Sequence, residues 1–224
     1  VLDGVIDVRV DGGLTQDIAQ ASFASPNTNK YLDQVATGTV NYLAIVPTAK
    51  PLERRACREA IFYALNKTDL VRIHGGNFQG AVATSMISAG IPGGEKSSNI
   101  YPSGTAATTN VGLIAAAWSP EPGQSVSYWA PIIDGRKIKL RSNLNYSNIN
   151  EDHINALLDS LESGSDSVSK LNRTIDTEVM KQAVYVPFVA ELSLQFRGPQ
   201  LTDVYVQRAL GGQYDLVNIG LITK

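Results

Sequence analysis

Hydrophobic and polar residues alternate with a period of two in several short segments, and this pattern predicts half-buried strands. The alternating segments are residues 5–10, 39–46, 184–189, 192–196 and 204–206. Alternation is typical of a strand because successive side chains point to opposite faces of the sheet. A continuous apolar run at residues 111–117 predicts instead a strand that is buried on both faces.

Other segments have apolar residues spaced three and four apart, as an amphipathic helix requires. The strongest helix prediction ends at Asn66. Its apolar stripe is Leu52, Ala56, Ala60 and Ala64, widened by Ile61 and Leu65, with Arg54, Arg55 and Arg58 away from it. Two further helices are predicted at residues 151–161 and 166–182, and shorter ones at 16–23 and 69–74. Strands and helices are interspersed, so the expected class is α/β in the broad sense, with mixed α+β elements.

Composition narrows the class of protein. The chain has 224 residues, 19 Lys and Arg against 21 Asp and Glu, and a hydrophobic fraction of 43%. A net charge of −2 without basic clusters excludes the electrostatic footprint of a nucleic-acid binder. The hydrophobic content excludes a disordered chain, and apolar runs are too short for a transmembrane helix. We expect one large globular domain or two small ones.

Few residues in the sequence suggest catalysis or metal binding. The two histidines, His74 and His153, have no partners at metal-ligand spacing, and no Gly-x-Ser-x-Gly nucleophile motif occurs. The glycine-rich residues 75–80 lack the Lys-Ser/Thr pair of a phosphate-binding loop. Cys57 is the only cysteine, which excludes an intrachain disulfide. We therefore predict no catalytic residue, no metal site and no cofactor.

One cluster in the sequence does suggest ligand binding. Trp118 ends the apolar run, and Glu121, Tyr128 and Trp129 follow within eleven residues. A carboxylate between aromatic side chains suits an amine-bearing ligand, through charge-assisted hydrogen bonds and cation–π attraction. The alternative is that both tryptophans are ordinary core residues and that Glu121 is a solvated turn residue.

Three blocks of the sequence resemble the extracellular solute-binding proteins of family 5, the dipeptide-, oligopeptide- and nickel-binding components of ABC transporters. The first block is YLAI at residues 42–45 with RRACREAIFYALNK at 54–67, which is similar to an aromatic strand and a helix of the form V-R-x-A-I-x-Y-A-I-D-[KR]. The second is NYSNIN at 145–150 with INALLD at 154–159, and the third is VPF at 186–188, YV at 205–206 and YDLVNIG at 214–220. The blocks have the order found in the family.

The resemblance implies a ligand site. Residues 118–121, Trp-Ser-Pro-Glu, match the family's W-x-x-D, whose Asp meets the α-amino group of a bound peptide. Here Glu121 replaces that Asp and keeps the charge on a side chain that is one methylene longer. The predicted ligand-binding residues are Trp118, Glu121, Tyr128, Trp129 and Tyr42.

The resemblance also has gaps. Family members are about twice as long, and a long α/β stretch of theirs has only residues 103–110 in its place, so we expect an incomplete lobe of the periplasmic-binding-protein-like type II fold. In related proteins the equivalent of Cys57 often has a partner in that stretch. We predict a second-lobe, substrate-binding domain at residues 39–189, with an apparent deletion near 103–110, and remnants of the first lobe at residues 1–38 and 190–224.

The function that the resemblance implies is that of a substrate-binding component, here a fragment, of an ABC importer. Its partners would be a peptide or other small solute and a membrane permease, with no nucleic acid, and the protein would be a monomer. It would be extracellular, lipid-anchored at the cell surface or periplasmic, with a signal outside this sequence. The alternatives are a secreted hydrolase that uses Glu121, and a sensor or interaction domain that kept the fold without transport. The ligand itself stays open among peptides, nickel complexes, opines and oligosaccharides.

Overall fold

The computed structural model describes residues 15–95, 99–101, 113–119, 125–207 and 211–222. The helices in these segments are α1 Gln16–Ala24, α2 Pro26–Asn29, α3 Arg55–Ala64, α4 Lys67–Ile73, α5 Ser125–Ile133, α6 Asp152–Ser163 and α7 Val168–Lys181. The strands are β1 Leu32–Ile45, β2 Gly80–Val82, β3 Leu113–Trp118, β4 Tyr185–Phe196, β5 Leu201–Thr202, β6 Val206–Gln207, β7 Gln213–Tyr214 and β8 Gly220–Leu221. The protein has the mixed α+β architecture that the hydrophobic pattern predicts. The strand predicted at residues 5–10 lies outside the described residues.

The main sheet has four antiparallel strands in the order β2-β4-β1-β3, and its width changes along its length. The central strands β1 and β4 pair from Leu32 opposite Phe196 to Ala44 opposite Tyr185. Their outer neighbours are shorter, because β3 stops at the pair Val40–Trp118 and β2 stops at the pair Gly80–Glu191. On one side of these two pairs, the sheet therefore has four strands over the three residues of β2 and three strands beyond them, and on the other side it has two strands.

We call the level of these two pairs, Val40–Trp118 and Gly80–Glu191, the waist. The lower region comprises residues 40–190, which hold the four-stranded part of the sheet and helices α3 to α7. The upper region comprises residues 15–36 and 192–222, where β5 pairs with β8 and β6 pairs with β7 in two small separate sheets.

The ladder between β1 and β4 is irregular at the waist. Its register shifts between Ala36 and Val40, and Gly38 in that interval has a φ of 91°. A left-handed backbone of this kind is open to glycine and strained for other residues. A register shift also bends a strand and re-aims its side chains, so both long strands change course where they cross the waist.

The hydrophobic core lies in the lower region. Every fully buried member of its main cluster falls between residues 42 and 186. The predicted stripes of α6 and α7 supply much of it: the buried positions are Ile154, Leu158, Leu161, Leu171, Ile175 and Val179. Because α5, α6 and α7 contact one another and α7 contacts β4, these helices cover one face of the sheet.

Helix α3 buries only part of the predicted face. Leu52 is buried, and Ile61 and Leu65 pack half-buried against the core. Ala56 and Ala60 are exposed, whereas Arg58 and Phe62 are buried. The Arg58 guanidinium donates hydrogen bonds to three backbone carbonyls, those of residues 52, 53 and 182. A buried cation is tolerated when its donors are satisfied in this way. Alanines pack on either side of a helix, so the alanine spacing was a poor guide to the buried face.

The apolar run near residue 113 forms a strand, but the prediction that both of its faces are buried is wrong. Among the described residues, β3 is an edge strand that pairs with β1 alone, and Ile114, Ala115 and Ala117 are exposed. Three half-buried residues of β3, Leu113, Ala116 and Trp118, pack against the core. A run of small apolar residues does not distinguish an edge strand from a central one, because edge position depends on long-range pairing.

Two other elements differ from the pattern. The strands predicted at 184–189 and 192–196 are one continuous strand, β4, with the half-buried Ala190 and Glu191 inside it. Helix α5 has no counterpart in the sequence prediction, and it contains Pro131. Proline disfavours the helix interior, so the pattern of α5 does not indicate a helix by itself.

Candidate functional site

Polar side chains gather at the waist on the face of the sheet that carries Thr39. Thr39 lies opposite Ser119, which follows the last residue of β3, and the two hydroxyl oxygens are 2.9 Å apart. The Thr37 hydroxyl donates to the backbone carbonyl of Glu191 on β4. These contacts tie the end of β3 to the interior of β1, and β1 to the interior of β4, at the irregular part of the ladder.

A carboxylate completes this polar group. Oε1 of Glu191 accepts a hydrogen bond of 2.8 Å from Nδ2 of Asn41 on β1. Nε2 of His74, which directly follows α4, lies 3.6 Å from the same oxygen. The Glu191 side chain is 31% exposed, so it is partly buried and still open to solvent.

The backbone at the waist is held by a close approach of two glycines. A Cβ added to Gly90 would lie 2.5 Å from the backbone nitrogen of Gly38. No side chain fits at Gly90 unless one of the two segments moves, so the loop that contains Met86 to Gly90 packs backbone to backbone against β1. Ser85, Met86, Ile87 and Ser88 in this loop are buried.

Trp118 is the predicted site residue that lies at the waist. It is half-buried against the core, and its Nε1 donates a 2.7 Å hydrogen bond to the carbonyl of Tyr128. This bond joins the end of β3 to α5 and fixes the indole at the narrowing of the sheet. Glu121, three residues further along the chain, lies outside the described residues.

The other three predicted site residues are packed in the core. Tyr42, Tyr128 and Trp129 are fully buried, and Nε1 of Trp129 donates to Oδ1 of Asn172 at 3.1 Å. The structure thus places Trp118 at the waist and buries Tyr42, Tyr128 and Trp129 in the core. Their direct contact with a ligand stays a prediction.

Burial changes the acidity of the two tyrosines. The Tyr128 hydroxyl donates to the carbonyl of Met86, and burial, followed by the charge of Asp176, raises its pKa well above the ordinary value. Burial, followed by the nearby Tyr185 and Tyr146, also raises the pKa of Tyr42. Both groups therefore stay neutral at physiological pH and do not act as charged ligand contacts.

The chemistry at the waist is that of recognition. Within the residues that the structure describes, no group of three or more His, Cys, Asp and Glu side chains is arranged to hold a metal ion. Hydroxyls, an amide and a carboxylate lie together on one face of the sheet there, and such groups orient a polar ligand through hydrogen bonds. Trp118 pairs with Val40, so its indole lies on the opposite, core-facing side. In the same described segments, no helix has both the length and the apolar composition needed to cross a bilayer.

Sequence reasoning missed most of the polar residues at the waist. Asn41 and Glu191 are 150 positions apart, and His74 lies on a third segment, so only the fold brings them together. Ser119 was within the W-x-x-D-like motif, but nothing in the sequence indicates its contact with Thr39. The glutamate at the centre of a strand, Glu191, was the one available signal, because charged residues are rare inside central strands.

Comparison with known proteins gives a result only for structures. No protein-family model matches the sequence, and no curated protein sequence is significantly similar to it. Solved structures do match. The chain superposes on the clavulanic acid biosynthesis oligopeptide binding protein 2 with a TM-score of 0.81 and 21% identity, covering 99% of this chain and 54% of that one.

Two further structures extend the likeness. The periplasmic murein tripeptide binding protein MppA, in its unliganded open form, matches with a TM-score of 0.71 and 11% identity, covering 98% of this chain and 54% of its own. The ABC transporter-associated periplasmic binding protein DppA from Helicobacter pylori, in complex with the peptide STSA, matches with a TM-score of 0.63 and 12% identity, covering 99% and 54%. These neighbours are binding proteins rather than enzymes.

The chain spans about half the length of the structures that it resembles. At these identities the likeness establishes the fold, and it confirms the fold that the sequence resemblance implies. The chain has the periplasmic-binding-protein-like fold of the family 5 solute-binding proteins of ABC transporters, over about half of their length.

Proposed function

We propose that this chain is a substrate-binding part of an ABC importer, which captures a short peptide or a similar amine-bearing solute at the waist. The observation that carries the proposal is the position of Trp118. It ends the edge strand β3 where the sheet narrows, beside the Thr39–Ser119 pair. Residues 118 and 119 carry an aromatic side chain and a hydroxyl on opposite faces of the end of β3, so a ligand that reaches around this end would find both apolar contact and oriented hydrogen bonds.

Glu121 supplies the charge in this proposal. It lies two residues beyond Ser119 in the sequence, and a carboxylate there would accept charge-assisted hydrogen bonds from a ligand ammonium group. Tyr128 would act by holding Trp118 through its carbonyl, while Tyr42 and Trp129 would support the site from the core.

The proposed mechanism is capture by closure. In the intact protein, the domain at residues 39–189 would move relative to segments 1–38 and 190–224 about the irregular ladder at Gly38. Ligand binding would shift the population toward the closed form. The closed protein would then deliver its solute to a membrane permease as a monomer outside the cytoplasm, whether periplasmic or lipid-anchored. No bond is made or broken, so the protein would not be an enzyme.

Because the chain covers about half of its neighbours, we expect it to bind peptides weakly when alone, with a Kd above about 10 µM. Equilibrium dialysis of radiolabelled Ala-Ala-Ala and of its N-acetylated form tests the proposal. We expect the free-amine peptide to bind about tenfold more tightly, since a charge-assisted hydrogen bond contributes about 1.5–3 kcal/mol.

The variant Glu121→Ala should remove that preference, and Glu162→Ala on the exposed face of α6 is the matched control. Equal affinity for the two peptides, or an unchanged preference in Glu121→Ala, would contradict the assignment of Glu121. Absence of binding by either peptide at millimolar concentration would contradict peptide capture by this chain.

A further inference from the structure

We propose that Glu191 is a second anionic contact of the site and that it selects ligands with an additional cationic group, such as a lysine or arginine side chain. The inference rests on the proposed function, which assigns an amine-binding role to the waist. It adds a specificity-determining residue that lies on a different strand from Trp118 and that no sequence motif indicates.

Glu191 belongs to one polar row that crosses three strands. Thr39 and Asn41 are two positions apart on β1, so they share a face of the sheet. Thr39 contacts Ser119 beyond β3 at one end of the row, and Asn41 contacts Glu191 on β4 at the other. A ligand lying across this face would meet hydroxyls, then an amide, then a carboxylate.

The length of the row sets the size of ligand that reaches both ends. Neighbouring strands are about 4.8 Å apart, so the distance from β3 to β4 across β1 is about 10 Å. An extended residue spans about 3.3–3.6 Å, and a lysine side chain reaches several ångströms further. A peptide held by its amino end near Ser119 would thus bring a basic side chain from its first three residues to Glu191.

Among the described residues, the charge of Glu191 has no lysine or arginine partner. Among the described residues, its only close side-chain partners are the neutral amide of Asn41 and the imidazole of His74. At 3.6 Å the imidazole nitrogen is beyond the 2.7–3.2 Å of an ordinary hydrogen bond. No lysine or arginine of the described segments forms an ion pair with Glu191.

A partly buried carboxylate without a cationic partner is a favourable contact for a ligand cation. Burial has already removed part of the hydration of Glu191, because its side chain is only 31% exposed. An entering ammonium group therefore gains more from this carboxylate than from a fully solvated one. Asn41 holds one carboxylate oxygen, which orients the group before the ligand arrives.

The test compares Ala-Lys-Ala with Ala-norleucine-Ala, which has the same stem and no charge, by titration calorimetry against the full chain. We expect the wild type to bind the lysine peptide about tenfold more tightly. Glu191→Gln should abolish this preference, measured as the ratio of the affinities for the two peptides. Glu191→Asp, which keeps the charge, should retain a preference, and Glu162→Gln on α6 should behave as the wild type.

His74→Gln removes the imidazole that lies 3.6 Å from Glu191, and we expect it to keep or increase the lysine preference. Equal binding of both peptides by the wild type, or a preserved preference in Glu191→Gln, would overturn the role of Glu191 while leaving peptide capture intact. If neither peptide binds, both the inference and the proposed function fail.

Discussion

The two regions on either side of the waist differ in how they are stabilised. The lower region encloses the main hydrophobic cluster, with Trp129, Ile132 and Ile175 fully buried. The upper region has two-stranded sheets and a set of exposed apolar side chains: Tyr205, Leu216, Val217, Leu221 and Ile222. Isolated two-stranded sheets are marginal in water. The stability of the molecule is therefore concentrated below the waist.

This difference bears on function because the polar row lies at the boundary of the two regions. Ligand-binding segments are drawn from the less stable parts of proteins, and rigid scaffolds position them. Here β3 and α5 fix Trp118 from below, while β1 and β4 continue above the waist into the weakly packed region. The predicted division into domains at residues 39 and 189 stays a prediction.

The largest change in the free energy of unfolding should come from creating a cavity in the core of the lower region. Trp129→Ala removes a fully buried ring and the hydrogen bond to Asn172, and we expect the free energy of unfolding to fall by about 3–5 kcal/mol. Tyr205→Ala, at an exposed ring of the upper region, should change it by less than about 1 kcal/mol. Urea denaturation measures both. Similar losses would show that the two regions are equally well packed.

The buried lysine of the lower region should make stability depend on pH. Lys67 is fully buried with its Nζ donating to the carbonyl of Ala83, and burial lowers its pKa to about 8 from 10.5. Between these two pH values the unfolded chain keeps a proton that the folded chain has released. The unfolded state then binds more protons, so the contribution of Lys67 to the free energy of unfolding rises with pH.

We expect this rise to reach about 3 kcal/mol, and it should be absent in Lys67→Met. The unfolding free energies of the wild type and the variant are measured from pH 7 to pH 11, and one is subtracted from the other. The subtraction cancels the contribution of the tyrosines, which both proteins share. Lys30→Met, in the upper region, controls for the loss of one charge. Parallel wild-type and Lys67→Met profiles would refute the effect of burial.

A smaller difference in stability is expected between substitutions of two tyrosines, Tyr42 and Tyr185. Their rings pack edge to face with centroids 5.3 Å apart. The Tyr185 hydroxyl donates a 2.5 Å hydrogen bond to the carbonyl of Ile132, whereas the Tyr42 hydroxyl has no hydrogen-bond partner among the described residues. Tyr185→Phe should lower the free energy of unfolding by about 1–2 kcal/mol. Tyr42→Phe should leave it unchanged or raise it slightly in thermal unfolding. A loss in Tyr42→Phe equal to that in Tyr185→Phe would show that the Tyr42 hydroxyl is bonded.

Local patterns predicted the parts of the fold that depend on local sequence. The stripes of α6 and α7 follow from leucine, isoleucine and valine spacing, and Ile154, Leu158 and Ile175 are buried accordingly. Where side chains were small or the sequence contained proline, the pattern was less informative: it gave two exposed alanines of α3 as buried and predicted no helix at α5. The edge position of β3 depends on which strands pair, so it cannot be predicted from the sequence of β3 alone.

The candidate site was predictable only in part for the same reason. Trp118 was recognisable from a motif of four consecutive residues, and the structure brings it to the waist. The row from Ser119 through Thr39 and Asn41 to Glu191 depends on the register of three strands. A one-residue change in register would send these side chains to opposite faces, so no motif could have shown them together.

The most direct test of binding at the waist uses the two tryptophans of the chain as paired probes. In a proton–nitrogen NMR titration with Ala-Ala-Ala, each indole N–H gives its own resonance. We predict that the Trp118 resonance shifts progressively to saturation while that of Trp129, buried in the lower core, stays in place. A Trp118 resonance that does not move at saturating peptide, or a shift of Trp129 alone, would contradict capture of the ligand at the waist.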